Sequence, residues 1–301
     1  MKKLAAALRL AAGTAIISFL FYKIGIKSVL QTLATTSLTH LAAYLALVLI
    51  TLAIGAYKIK LLTDPIKKLS FAKILRYYML SFSTGLFVPA RAGEFILVYF
   101  LKKEGIEIPK GAAIALLDKI IIMAFLSIIA VFGFFVFFTP TRAAELMAML
   151  IATFLALSVL MLSKKARSII KKYVLRKYAD KFSGLTEAIG YYIKKQKAAL
   201  MINLSATAIK WLITAVAVAI LFSGFSQHPS TMHVLMILAI GTITTLIPIT
   251  LSGLGIREGV AVYLFSQTGI ATEITLTVYM IMLITNYILA ALSMTFLKWQ
   301  K

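Results

Sequence analysis

Three acidic–basic pairs in this 301-residue chain stand in apolar surroundings where charge is costly. Arg91 and Glu94 occur in Phe87-Val88-Pro89-Ala90-Arg91-Ala92-Gly93-Glu94. Arg257 and Glu258 follow Gly253-Leu254-Gly255-Ile256, and Asp118 and Lys119 precede the uncharged run from Ile120 to Thr141. Arginine stays charged and can grip a phosphate with two N–H groups at once. Arg91 and Arg257, each beside glycine-broken backbone, therefore suit an anionic ligand, most naturally a lipid phosphate. Helix N-termini restarting after Gly93 and Gly255 would add backbone N–H donors. The carboxylates would pair with the arginines when the site is empty, or touch a cationic headgroup. A purely structural alternative uses the same residues. Arg91 and Glu94 have i,i+3 spacing, Arg257 and Glu258 can bridge the two breaks, and Asp118 with Lys119 can be a structural pair near the cytoplasmic interface.

The elements that must position these groups are membrane helices. The chain is 61% hydrophobic with a mean hydropathy of +0.96, against about 45–50% apolar residues in soluble domains. No charge occurs from Leu41 to Tyr57, from Ile120 to Thr141, or from Trp211 to Ile256. A run of about 20 apolar residues crosses the hydrocarbon core as a helix. The absence of cysteine excludes disulfides and thiol chemistry. The three histidines, His40, His228 and His233, lack metal-ligand spacing. No metal or other cofactor is expected.

The net charge of +22 is organised by position. Of the 32 Lys and Arg residues, 25 fall in five clusters: Lys2–Arg9, Lys58–Arg76, Lys102–Lys110, Lys164–Lys197 and Lys298–Lys301. The other loops are nearly bare of positive charge. That is the positive-inside asymmetry, and it implies contact with an anionic membrane surface. No base-reading module interleaves the basic residues, so nucleic acid is not an expected partner.

Charge placement predicts a topology with both termini cytoplasmic. A retained first helix spans about 5–25, and Lys27–Thr39 form an external loop. A second helix, about 40–61, returns to the cytoplasm. Residues 74–101 are flanked by basic clusters on both sides and broken at Pro89–Gly93, which predicts a hairpin re-entering from the cytoplasm. Helices at about 111–138, 143–163 and 199–223 follow, with 164–198 cytoplasmic. The segment His233–Phe265 is broken by Pro248, Gly253, Gly255 and Arg257 between two loops without Lys or Arg, which predicts a hairpin entering from outside. A last helix covers about 274–297. The expected fold is an all-α polytopic membrane protein with six spanning helices and two opposed re-entrant helical hairpins. Such opposition suggests an inverted repeat. Residues 1–301 read as one transmembrane domain, with no soluble transferase domain expected.

Residues 164–198 hold eleven Lys or Arg. Ile170, Val174, Tyr178, Phe182, Leu185, Ile189 and Ile193 recur as one apolar helical stripe, with Gly184 as a break. Such a segment lies in the headgroup plane. It can gather anionic lipid, or serve only as a connector that enforces topology.

The two breaks carry a resemblance. Pro89-Ala90-Arg91-Ala92-Gly93-Glu94 resembles the PxRxGE-type signature of the lysylphosphatidylglycerol synthase transmembrane family, a flippase-like domain. Ile247-Pro248-Ile249-Thr250-Leu251-Ser252-Gly253-Leu254-Gly255-Ile256-Arg257-Glu258-Gly259 resembles its second signature, and Asp118-Lys119 stands where the family carries an acidic–basic pair. Ala90 replaces a usual glycine, and Thr250 and Ser252 replace serine and glycine, while Arg91, Glu94, Arg257 and Glu258 are kept. The resemblance implies translocation of a polar-headgroup lipid across the cytoplasmic membrane. It does not extend to the aminoacylating activity in the family's name, nor does it select among phospholipids and polyprenyl-type lipids. Substrate binding is assigned on this basis to Arg91, Glu94, Asp118, Lys119, Arg257 and Glu258. No ATP-binding G-x-x-x-x-G-K-[ST] string occurs. The alternatives are an intramembrane lipid-modifying enzyme, for which no nucleophile–base constellation is evident, and a scaffold for a partner enzyme. A homodimer is compatible with any of these.

Overall fold

The computed structural model describes residues 18, 19, 22, 26–86, 93, 95–162, 184–245, 250 and 253–298. Among them every regular element is helical and no strand occurs. In chain order these are α1 (Ile26–Ala34), α2 (Leu38–Thr63), α3 (Phe71–Leu86), α4 (Ile96–Lys103), α5 (Ile108–Phe137) and α6 (Pro140–Leu162). They continue with α7 (Leu185–Lys195), α8 (Lys197–Ser223), α9 (Thr231–Thr244), α10 (Ile256–Ser266) and α11 (Thr272–Lys298).

Four helices, α2, α5, α8 and α11, are long and apolar enough to cross a membrane. Their surfaces show why water is the wrong solvent. On α5, Ile128 and Phe132 are each 59% exposed, and on α8 Met201 is 62% exposed. Large side chains facing outward on apolar helices need lipid around them. The helix α6 runs through residues 143–162 of the segment where a further span was expected. Most of the first expected span lies outside the described residues.

The chain folds back on itself within both segments where a break was expected. The base of the first fold-back is a clasp around Glu104. The Tyr77 ring stacks on Phe100 at 5.0 Å, the Tyr77 hydroxyl donates to Glu104 Oε1 at 2.5 Å, and Lys73 Nζ bridges Oε2 at 3.0 Å. The start of α3 therefore meets the end of α4. At the tip, Thr84 Oγ1 donates to the Gly93 carbonyl at 2.9 Å. In the second fold-back α9 and α10 lie against each other. Its tip closes where Gly253, at φ +79, packs on Thr245; that left-handed backbone favours glycine. Its base lies at the opposite end of α5, with Phe137 beside His233 and Phe138 beside Tyr263. The first fold-back packs near Gly111 at the start of α5, whereas Gly133 near its end faces Met236 and Ile240 of α9. The two fold-backs thus approach from opposite ends of one helix.

One expectation needs correction. The segment Lys27–Thr39 is not simply a loop, because Ile26–Ala34 forms α1. Val29 is buried beside Leu276 of α11, and its carbonyl lies 3.5 Å from Thr277 Oγ1. Tertiary docking supplies what so short a helix lacks alone. In the basic connector, Gly184, at φ +90, is the N-cap of α7. Of the expected stripe, Ile189 packs against the same buried cluster as Tyr192. Ile193 is 54% exposed, whereas Tyr192 is fully buried and its hydroxyl donates to the Leu62 carbonyl. Ile170, Val174, Tyr178 and Phe182 lie outside the described residues.

The Tyr77 hydrogen bond, joined by Lys73, holds the Glu104 carboxyl below the usual carboxylate range and outweighs the opposing effect of burial. A depressed folded-state value makes the clasp's contribution full above the unfolded carboxylate value and lost as pH falls through the folded one. Thermal unfolding in detergent should therefore show a Glu104→Gln penalty at pH 7 that shrinks below about pH 4. At the tip, a Cβ on Gly93 would overlap the Thr84 carbonyl, whereas one on Gly190 meets nothing within 4 Å. Gly93→Ala should lower the unfolding midpoint in the same assay. Gly190→Ala should raise it, since alanine in a helix interior gains about 0.5–1 kcal/mol over glycine.

Candidate functional site

Side chains from both fold-backs and from α2, α5, α8 and α11 enclose a cavity of about 400 Å³. The first fold-back contributes Tyr78, Ser81 and Phe82, and the second contributes Thr242, Thr245 and Arg257. Asp118 and Lys119 of α5 and Lys210 of α8 complete the charged lining. Apolar residues such as Val48, Leu52, Ile122 and Met123 form the rest of the wall. A charged recess in an apolar wall suits an amphiphile better than a small hydrophilic solute.

The charges are held in two groups. Lys58 of α2 is 1% exposed, and its Nζ lies 2.9 Å from Asp118 Oδ1. Asn203 of α8 donates to the Lys58 carbonyl at 3.2 Å and reaches Asp118 Oδ1 at 3.4 Å. Thr207, one turn further on, donates to the Asn203 carbonyl at 2.8 Å. The Lys58–Asp118 pair thus joins three spanning helices at one point. Lys210 faces the cavity two turns after Asn203. Its ammonium donates to the Tyr78 hydroxyl at 2.9 Å and lies 5.5 Å from the Tyr78 ring centre.

The second group is built at the start of α10. Gly255, at φ +84, is the N-cap, and its backbone N–H donates to Glu258 Oε2 at 2.7 Å. The other Glu258 oxygen accepts from Arg257 Nη2 at 3.1 Å. Glu258 is 1% exposed, so both its oxygens serve the local fold. Arg257 keeps a buried Nε with no hydrogen-bond partner among the described residues. Its guanidinium carbon sits 5.9 Å from the Tyr279 ring centre, a weak cation–π geometry. Gly241 makes room for it: a Cβ there would stand 3.2 Å from Arg257 Cγ.

Of the six residues singled out in the sequence, Asp118, Lys119 and Arg257 line one cavity. Glu258 lies behind Arg257 and braces it. Arg91 and Glu94 fall outside the described residues. Two expected pairings come out differently. Asp118 bridges to Lys58, not to the adjacent Lys119, because neighbours along a helix point to different faces. Arg257 and Glu258 join within α10, not across the two fold-backs. The Gly255 N–H, expected to serve a ligand, is taken by Glu258.

Lys58, Lys210, Asn203 and Tyr279 were missed in the sequence. Lys58 was counted with the basic cluster that begins there. Lys210 had a usable signal, since it falls near the middle of a spanning helix charged otherwise only at its first residue, Lys197, and an ionisable residue there is functional by default. Among the described residues no group of three His, Asp or Glu is placed to hold a metal ion.

Removing one member of a buried ion pair strands the other and costs about 3–5 kcal/mol, whereas replacing both with apolar residues is often neutral. Asp118→Ala should therefore lower the unfolding midpoint in detergent sharply. The double change Lys58→Met with Asp118→Leu should recover most of the loss. Equal losses for the single and double variants would show that the pair does not act as a unit.

No curated protein matches the chain. The family described as "Lysylphosphatidylglycerol synthase TM region" matches residues 6–293, nearly the whole length. With its helical membrane architecture and its charged cavity between two opposed fold-backs, the chain belongs to this family of membrane proteins.

Proposed function

We propose that this protein translocates a lipid with an anionic headgroup across the cytoplasmic membrane. The observation that carries the proposal is the cavity jointly lined by both fold-backs, with Lys119, Lys210 and Arg257 on its wall. In this reading the fold-backs are re-entrant hairpins related as an inverted repeat, with both termini and the basic clusters on the cytoplasmic side. The headgroup enters the cavity while the acyl chains stay in the hydrocarbon. The cations replace its hydration shell, lowering the barrier that keeps polar groups out of the bilayer. Small relative movements of the two hairpins would open the cavity to one leaflet and then the other, as in transporters built from opposed broken helices.

Translocation is favoured over catalysis by the state of the described carboxylates. A general base needs a lone pair facing the substrate. Asp118 accepts from Lys58 and Asn203, and Glu258 accepts from Arg257 and the Gly255 N–H. Glu258 thus has both oxygens engaged, and Asp118 has Oδ1 engaged by two donors.

Reconstitution into liposomes carrying a headgroup- or tail-labelled fluorescent phospholipid tests this. Chemical quenching of the outer leaflet should consume more than the outer-leaflet signal when the protein is present. Arg257→Gln and Lys210→Gln should each slow the exchange about tenfold or more, the scale of one lost charge-assisted hydrogen bond. Exchange that is absent, or indifferent to both changes in folded protein, would refute the proposal.

A further inference from the structure

A phenol on the first fold-back and a lysine on a spanning helix meet on the cavity wall. Tyr78 of α3 is seated by a glycine. A Cβ on Gly55 of α2 would overlap the Tyr78 Cζ and Oη, so the ring lies where only glycine leaves room. The seated hydroxyl accepts from Lys210 Nζ at 2.9 Å, and the ammonium stands 5.5 Å from the ring centre. Both residues line the cavity.

Lysine is a flexible stem that carries its charge toward water wherever it can. Lys210 lies about 20 Å along α8 from its first residue, Lys197, at the rise of an α-helix. The hydroxyl and the ring face hold the ammonium at that depth. An ammonium has three donors, so the bond to Tyr78 does not exhaust it. A hydroxyl that accepts also keeps its own hydrogen to donate, and accepting from a cation strengthens it as a donor. The pair therefore presents N–H and O–H groups side by side. One comes from a fold-back, the other from the helix that Asn203 ties to α2 and α5.

Resting on the translocation reading, we infer that Tyr78 and Lys210 form one anion-binding unit. Tyr78 holds the Lys210 ammonium on the cavity wall and itself donates its O–H to a phosphate oxygen of the lipid headgroup. Gly55 is a positioning residue of the unit, because it seats the ring.

Binding of tail-labelled phosphatidylglycerol to folded protein in phosphatidylcholine nanodiscs tests the unit. Tyr78→Phe keeps the ring on Gly55 and removes the hydroxyl, whereas Lys210→Gln removes the charge. Each should weaken binding about tenfold or more, the lower end of a hydrogen bond to a charged group. The double variant should be little worse than either single one, because residues that act together are not additive. Gly55→Ala displaces the ring without removing the hydroxyl and should weaken binding likewise. Gly190→Ala, where a Cβ meets nothing within 4 Å, should not. Unchanged or tighter binding by Tyr78→Phe, or losses that simply add in the double variant, would overturn the inference. Displacement by inorganic phosphate as effective as by unlabelled phosphatidylglycerol would overturn its lipid source. Coupled loss of binding without leaflet exchange in liposomes would sink translocation and leave the unit standing. Exchange that needs Lys210 but is indifferent to Tyr78→Phe would do the reverse.

Discussion

The Lys58–Asp118 pair is the constraint on which the rest of the site depends. An ion pair in a membrane interior gives little net stability, because desolvating two charges consumes most of their attraction. Its force is conditional: once one member is buried, the other must be present and in register. Here that condition ties α2 to α5, and Asn203 ties both to α8. Three long helices with weak hydrophobic discrimination among themselves are thereby set in one relative position. The same pair couples the Asp118 charge to Lys58, while Lys210 and Arg257 also stand on the cavity wall.

The second fold-back shows the same economy at a helix start. Broken backbone at membrane depth survives only where its polar groups find partners. Glu258 supplies one by capping Gly255 and spends its remaining oxygen on Arg257. The carboxylate that permits the break also aims the cation beside it. Gly241 and Tyr279 then form the slot in which the guanidinium lies. In the first fold-back the clasp sits at the base instead, where Glu104 gathers Tyr77 and Lys73, and the tip is closed by Thr84 on Gly93. Each fold-back is thus held by side chains on its own strands of helix, which leaves relative movement between them unopposed by covalent or ionic ties among the described residues.

Much of the architecture was legible in the sequence because the bilayer imposes long-wavelength signals. Uncharged runs of about 20 residues and the segregation of lysines need no tertiary information to be read. The breaks near Pro89–Gly93 and Gly253–Gly255 were legible for the same reason, since glycine and proline in an apolar run contradict a simple span. The family signatures and Arg257 as a cavity residue followed from those breaks. The docked helix α1 was missed although Ile26, Val29, Leu30 and Leu33 carry a helical spacing; nine residues alone make a marginal helix, and contact with α11 supplies the rest. The contact of the Tyr192 hydroxyl with the Leu62 carbonyl, which joins residues far apart in the chain, was not legible.

By itself the sequence determined the solvent, the class of fold and the family. Those properties follow from composition and from order along the chain, because each depends on a segment's own transfer free energy. Only the tertiary structure decided which charges meet. Asp118 found Lys58 sixty residues away and not Lys119 beside it, Glu258 turned inward to cap its own helix, and Lys210 emerged as a cavity cation. Adjacent residues on a helix face different neighbours, so partnership is set by which helices touch and at what rotation, information that no local stretch of sequence contains.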